Sequence, residues 1–140
     1  LRLLGGELMP IQVKLTSRIP EISAELRAKA AVLVQVTAFE IQADAMESMT
    51  GGRSGRWYGN HRASAPGEAP AMDSGLLANT IGVSSVPGVE SDLAAMVVAN
   101  ADYAPHLEFG TSRMAPRPFF RPAFERAREG FERALRSLLP

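Results

Sequence analysis

One segment constrains this chain more than any other. From Glu21 to Thr50 it contains neither glycine nor proline, with Pro20 in front and Gly51-Gly52 behind. Proline is tolerated at the first position of a helix, and Glu21 and Glu25 suit the positive end of its dipole. A glycine pair is a natural helix stop. The boundaries predict one helix of about 29 residues and ~43 Å. That is longer than a compact domain of this size needs, so one end projects or packs on another subunit. Val32, Val36, Phe39, Ala43 and Met46 step by four, three, four and three. Ile22 and Leu26 extend the same line, which marks it as the expected core face.

The remaining elements are shorter. Ile11, Val13 and Leu15 alternate with Gln12 and Lys14, a strand pattern. Asp73-Ser74-Gly75 reads as a turn or one helical turn, with Asp73 a good N-cap. Ile81, Val83 and Ser85 alternate before the Pro87-Gly88 turn, and residues 93–99, LAAMVVA, form a second apolar run. These two read as an antiparallel hairpin. The second strand is apolar on both faces, so helices or a neighbour should cover both sides. Phe120, Phe124, Ala127, Phe131, Ala134 and Leu138 recur at helical spacing over residues 119–138, with arginines and glutamates between them. Gly130, in the middle of that helix, would allow close approach of a partner backbone. The expected fold is α+β: a small, mainly antiparallel sheet packed against the long N-terminal helix and the C-terminal amphipathic helix.

At 140 residues, 46% apolar and 21% charged, the composition suits a single globular domain. No run approaches the ~18 apolar residues of a membrane span. Without cysteine there is no disulfide scaffold, thiolate zinc site or thiol nucleophile, which fits a reducing cytoplasm. Residues 1–8 read as a flexible or non-native leader, with Met9-Pro10 resembling a start, and are set aside from the fold. Net charge is zero but unevenly spread. Residues 73–108 hold five acids and no Lys or Arg, whereas residues 109–140 hold seven arginines against three glutamates. Either the two segments meet within one subunit, or the acidic part of one copy meets the basic part of the next. A chain gripping nucleic acid would show net basicity instead.

Residues 50–75 form a long loop rich in Gly, Pro, Ser and Arg, and loops of that length are usually functional or disordered. Trp57 and Tyr58 sit in it among Arg53, Arg56, His61 and Arg62. Aromatics beside arginine suit an interaction surface; the other reading is a Trp57 plug holding the loop on the core. Catalytic signatures are missing. No Gly-x-Ser-x-Gly elbow is present, and GGRSG lacks the Gly-Lys-Ser/Thr of a phosphate-binding loop. Asp102, His106 and Glu108 offer metal or acid/base chemistry, but Tyr103-Ala104-Pro105 breaks a helix that could align them. No cofactor is expected. HLEFGTSRMAPRPFF, residues 106–120, reads as a stiff strap. Gly110 permits a chain reversal, Pro116 and Pro118 enforce extended geometry, and Phe119 and Phe120 anchor the last helix. Arg113 and Arg117 are free to meet carboxylates.

The strap also carries a resemblance. Tyr103-Ala104, Leu107-Glu108-Phe109-Gly110-Thr111 and Pro118-Phe119-Phe120-Arg121-Pro122-Ala123 resemble the signature of the tail-completion, or head–tail joining, proteins of long-tailed bacteriophages. Ala65-Pro66-Gly67, Pro70, Gly75-Leu76 and Ile81 match the pattern upstream of it. The likeness is specific over residues 63–125 and leaves the Trp-Tyr loop outside. It implies a non-enzymatic virion protein at the head–tail junction, assembled in the host cytoplasm. Such a protein forms a homo-oligomeric ring, typically a hexamer, between a head-completion or connector protein and the tail tube or tail terminator. Genomic DNA passes through its lumen without sequence readout, and no membrane is involved. Expected subunit-interface or strap residues are Tyr103, Glu108, Phe109, Gly110, Thr111, Arg113, Arg117, Pro118, Phe119 and Arg121. The loop would add Arg53, Arg56, Trp57, Tyr58 and Arg62. Two alternatives from the residues themselves are a small nucleic-acid-binding module and a metal or acid/base enzyme centred on His106 and Glu108.

Overall fold

The computed structural model describes residues 2–4, 11–16 and 24–139. The helix opening at Pro20, Glu21 and Ile22, and the start at Met9-Pro10, lie outside them. The architecture is α+β. Strands β1 (Arg2–Leu4), β2 (Ile11–Thr16), β5 (Ile81–Ser84) and β6 (Ala94–Ala99) form an antiparallel sheet in the order β1-β2-β6-β5. Helices α1 (Ala24–Ser48) and α4 (Phe120–Leu138) pack with it. Between them come a small ribbon, β3 (Trp57–Tyr58) and β4 (His61–Arg62), and two short helices, α2 (Leu76–Asn79) and α3 (Ala104–Phe109). The leader is not wholly outside the fold: Arg2, Leu3 and Leu4 pair with Lys14, Val13 and Gln12. An edge strand presents unpaired backbone groups, and a short segment satisfies them there.

β6 is the centre of the sheet and every one of its residues is buried. Its alternation sends Ala95, Val97 and Ala99 to one face, where they meet Val13 and Ile81 and the α1 residues Val34, Ala38 and Ile41. Ala94, Met96 and Val98 point to the other face, under Val86 and Val89 of the β5–β6 connection. The chain therefore covers both faces of this strand itself. Alanines at 38, 45, 95 and 99 leave little side chain between helix and sheet, so the backbones lie close. Gln42 Nε2 donates to the Ile81 carbonyl at 2.8 Å, tying α1 to the edge strand.

The phase of α1 differs from the expectation. Its buried stripe is Ala30, Val34, Thr37, Ala38, Ile41 and Ala45. Val32, Val36 and Phe39, expected inside, are 63%, 47% and 56% exposed. Two apolar stripes run along this helix at helical spacing, and apolar periodicity alone does not choose between them. The close approach of sheet and α4 selects the stripe of smaller side chains. α4 behaves as expected: Phe120, Phe124 and Phe131 are buried together with Ala123. Arg126 clasps Asp44 of α1 through two bonds of 2.7 and 3.0 Å. Both side chains are partly solvated, so the clasp contributes at most ~1 kcal/mol. A Cβ at Gly130 would meet nothing within 4 Å.

Candidate functional site

The strap opens on a short helix that leaves Asp102 outside it, so no helix holds Asp102 and His106 on one face. α3 covers Ala104–Phe109 with Pro105 in its first turn, where a missing N–H costs nothing because it has no intrahelical partner. Within it, Glu108 is 4% exposed while His106 is exposed. Residues two apart point to different sides of a helix. Among the described residues no three His, Cys, Asp or Glu side chains converge as a metal site.

Both oxygens of Glu108 are committed to backbone. Oε2 accepts from the amides of Phe119 and Phe120, each at 2.9 Å, and Oε1 accepts from Arg121 at 2.7 Å. These are the first amides of α4, which have no partner inside their own helix. The N-cap position, Phe119, supplies no side-chain cap. A carboxylate eleven residues back takes that role and also meets the positive end of the helix dipole. The missing Ser, Thr, Asp or Asn before α4 was the one sequence signal that left room for a remote cap.

The segment between cap and helix is tightly constrained. Gly110 has φ +74°, and a Cβ there would lie 2.7 Å from the Met114 carbonyl and 2.9 Å from Pro116. Only glycine fits that approach. The Thr111 amide donates to Met114 O at 2.8 Å, and Thr111 Oγ1 accepts from the Arg113 amide at 3.2 Å. The Arg117 amide donates to Leu107 O at 2.7 Å, and its Nε and Nη1 donate to Ser64 O and Ala115 O. Arg117 is therefore engaged within its own chain, not free for a carboxylate, whereas Arg113 and Arg121 are exposed. Pro118 is half-buried, and the Phe119 and Phe120 rings, both fully buried, lie 5.4 Å apart. Tyr103 and Phe109 remain 41% and 45% exposed.

The long loop is organised around the β3–β4 ribbon. Trp57 pairs with Arg62 and Tyr58 with His61 across a turn where Gly59 has φ +61°. The Glu68 carboxylate fastens the base of the ribbon, accepting from Ser54 Oγ and from the amides of Ser54 and Ala65. Those bonds, the Ser54 hydroxyl first, lower its pKa from 4.5 to about 2. Arg53 turns inward, its Nη2 donating to Ser48 O at 2.6 Å and Pro70 O at 2.9 Å. Trp57 and Tyr58 are each 61% exposed, so Trp57 does not plug the loop onto the core. Arg62 stands 5.6 Å above the Trp57 ring and Arg56 5.5 Å above Tyr58. Four of the five expected loop contacts thus share one projecting ribbon, and Arg53 braces its base.

Between ribbon base, α2 and strap lies an apolar groove of about 390 Å³, with Met72, Leu76, Leu77, Tyr103, Leu107 and Met114 among its walls. Asp73, expected to cap α2, lies in the groove wall instead; the N-cap of α2 is Gly75, with no side-chain cap. Among the described residues the acidic and basic segments do not neutralise each other. Among the described residues, the ion pairs are Arg27–Asp92, Lys29–Glu25, Arg126–Asp44 and Arg128–Glu132. None joins residues 109–140 to residues 73–108.

Comparison of the chain with protein-family models, curated proteins and solved structures returns no match.

Proposed function

We propose that this chain is a structural subunit that assembles with copies of itself into a ring at the head–tail junction of a long-tailed bacteriophage. The exposed stripe Val32, Val36 and Phe39 carries the self-assembly part. A row of large apolar side chains left exposed on one helix marks an interaction site, and α1 carries such a row opposite the stripe that its own chain buries. The acidic 73–108 segment and the basic C-terminal segment, unpaired with each other, supply two complementary surfaces for head-to-tail association. The junction itself rests on the strap resemblance over residues 63–125. In this reading the strap is the internal brace of the subunit, with Glu108 locking α4. The outward Tyr103, Phe109, Arg113 and Arg121 meet neighbours. A cryo-EM map of the neck of particles carrying this chain tests the proposal. A ring into which the subunit fits is the expected result; a neck without density for it removes the reading.

A further inference from the structure

The ribbon has the composition of an interaction hot spot, in which Trp, Tyr and Arg predominate. It is also pre-organised. Glu68 fastens its base, Arg62 donates to Gly55 O and Ser54 O at 3.1 and 3.2 Å, and a guanidinium covers each aromatic ring. Little side-chain freedom is left to lose on binding. Side chains alternate across a strand, so Trp57 and its partner Arg62 share one face of the ribbon, and Tyr58 and His61 share the other. His61 forms part of the groove wall and Trp57 does not. Knob and groove are thus different surfaces of one subunit.

We propose that Trp57 of one copy seats in the apolar groove of the next, an extension that rests on the ring reading above. The groove presents Leu76, Met72 and Tyr103, which are 56%, 41% and 41% exposed. Its volume of about 390 Å³ is at the small end for a ligand pocket and suits one large side chain. The charges are complementary. Residues 53–62 carry Arg53, Arg56 and Arg62 and no acid, while Asp73 lies in the groove wall and Asp102 directly precedes Tyr103. Both aspartates are exposed and outside every ion pair among the described residues. The groove's own Arg117 is turned onto the Ser64 and Ala115 carbonyls. Because knob and groove differ, the contact is head-to-tail and propagates around a ring. Nucleic acid is the less suited occupant, since Arg53 and Arg62 already spend donors on carbonyls of their own chain.

A photo-reactive phenylalanine at position 57, with cross-linked peptides identified by mass spectrometry, tests the contact. So does a charge-exchange set of Arg56→Glu, Asp73→Arg and the two together, followed by sedimentation. Cross-links to residues 72–77 or 103–107 of another copy are expected. Each single exchange should weaken association about tenfold and the double should restore it. Trp57→Ala should weaken association about 30-fold with an unchanged circular dichroism spectrum. Assemblies indifferent to these changes, or cross-links to another surface, another protein or nucleic acid, overturn the contact and leave the ring standing. A chain that is monomeric at millimolar concentration and absent from particle necks fails both.

Discussion

α1 and α4 lie side by side, but they leave different surfaces to water. α4 buries one stripe, Phe120, Phe124 and Phe131, and its exposed sides are charged. α1 buries Val34, Ala38 and Ile41, and its far side presents Val32, Val36 and Phe39. α4 leaves no row of large apolar side chains in water, whereas α1 does. An exposed row of large side chains on one helix marks an interaction site, and on the ring proposal it separates the residues that hold the fold from those that would make the assembly.

The sharpest test of that division sets substitutions that should cost stability against ones that should cost only association. Phe120→Ala should cost about 3–5 kcal/mol in urea unfolding, because the ring is fully buried. Glu108→Ala comes next, at about 3 kcal/mol, since it strips the partner from three amides at the start of α4. Glu108→Gln keeps one acceptor oxygen and should lie between that and the native chain. If Glu108→Ala left stability unchanged while blocking assembly, the strap would belong with the outer face of α1 and the division would fail.

How legible each helix was follows from the same contrast. In α4 charged residues dominate the positions outside the apolar stripe, and the large side chains Phe120, Phe124 and Phe131 recur on one line, so the phase is plain. In α1 both stripes are apolar, and the larger side chains pointed to the wrong one. The hairpin of β5 and β6 could be read from alternation and the Pro87-Gly88 turn. α3 could not, because Pro105 is a helix breaker everywhere except in the first turn, which is where it lies. Glu108 was visible as a residue but not as a cap, since its partners are eleven to thirteen positions away and capping patterns are local. The ribbon was hidden because two-residue strands carry no period.

The ribbon provides a smaller, local effect that depends on pH. Glu68 has its pKa lowered from 4.5 to about 2, so the folded state favours its charged form. A depressed carboxylate contributes stability that is present above its ordinary value and lost as pH falls through the folded one. The clasp should therefore stay closed from neutral pH down to about 3 and open as pH approaches 2. NMR amide shifts of Ser54 and Ala65 would follow it. A midpoint near 4.5 would mean that the bonds at the ribbon base do not hold in solution and that Trp57 is not presented on a fixed support.

The smallest effect on stability carries the most information about assembly. Phe39→Ser removes a large side chain from the outer stripe of α1, and exposed positions of this kind usually change stability by no more than ~0.5 kcal/mol. The subunit should fold and unfold as before, and sedimentation should show association lost. The same substitution in the inner stripe, Ile41→Ser, should unfold the subunit, because Ile41 is fully buried and a hydroxyl there has no partner. A Phe39→Ser chain that is strongly destabilised would show that the outer stripe is covered within the subunit. One that is stable and still assembles would move the contact off α1 and leave the Trp57 ribbon to carry assembly alone.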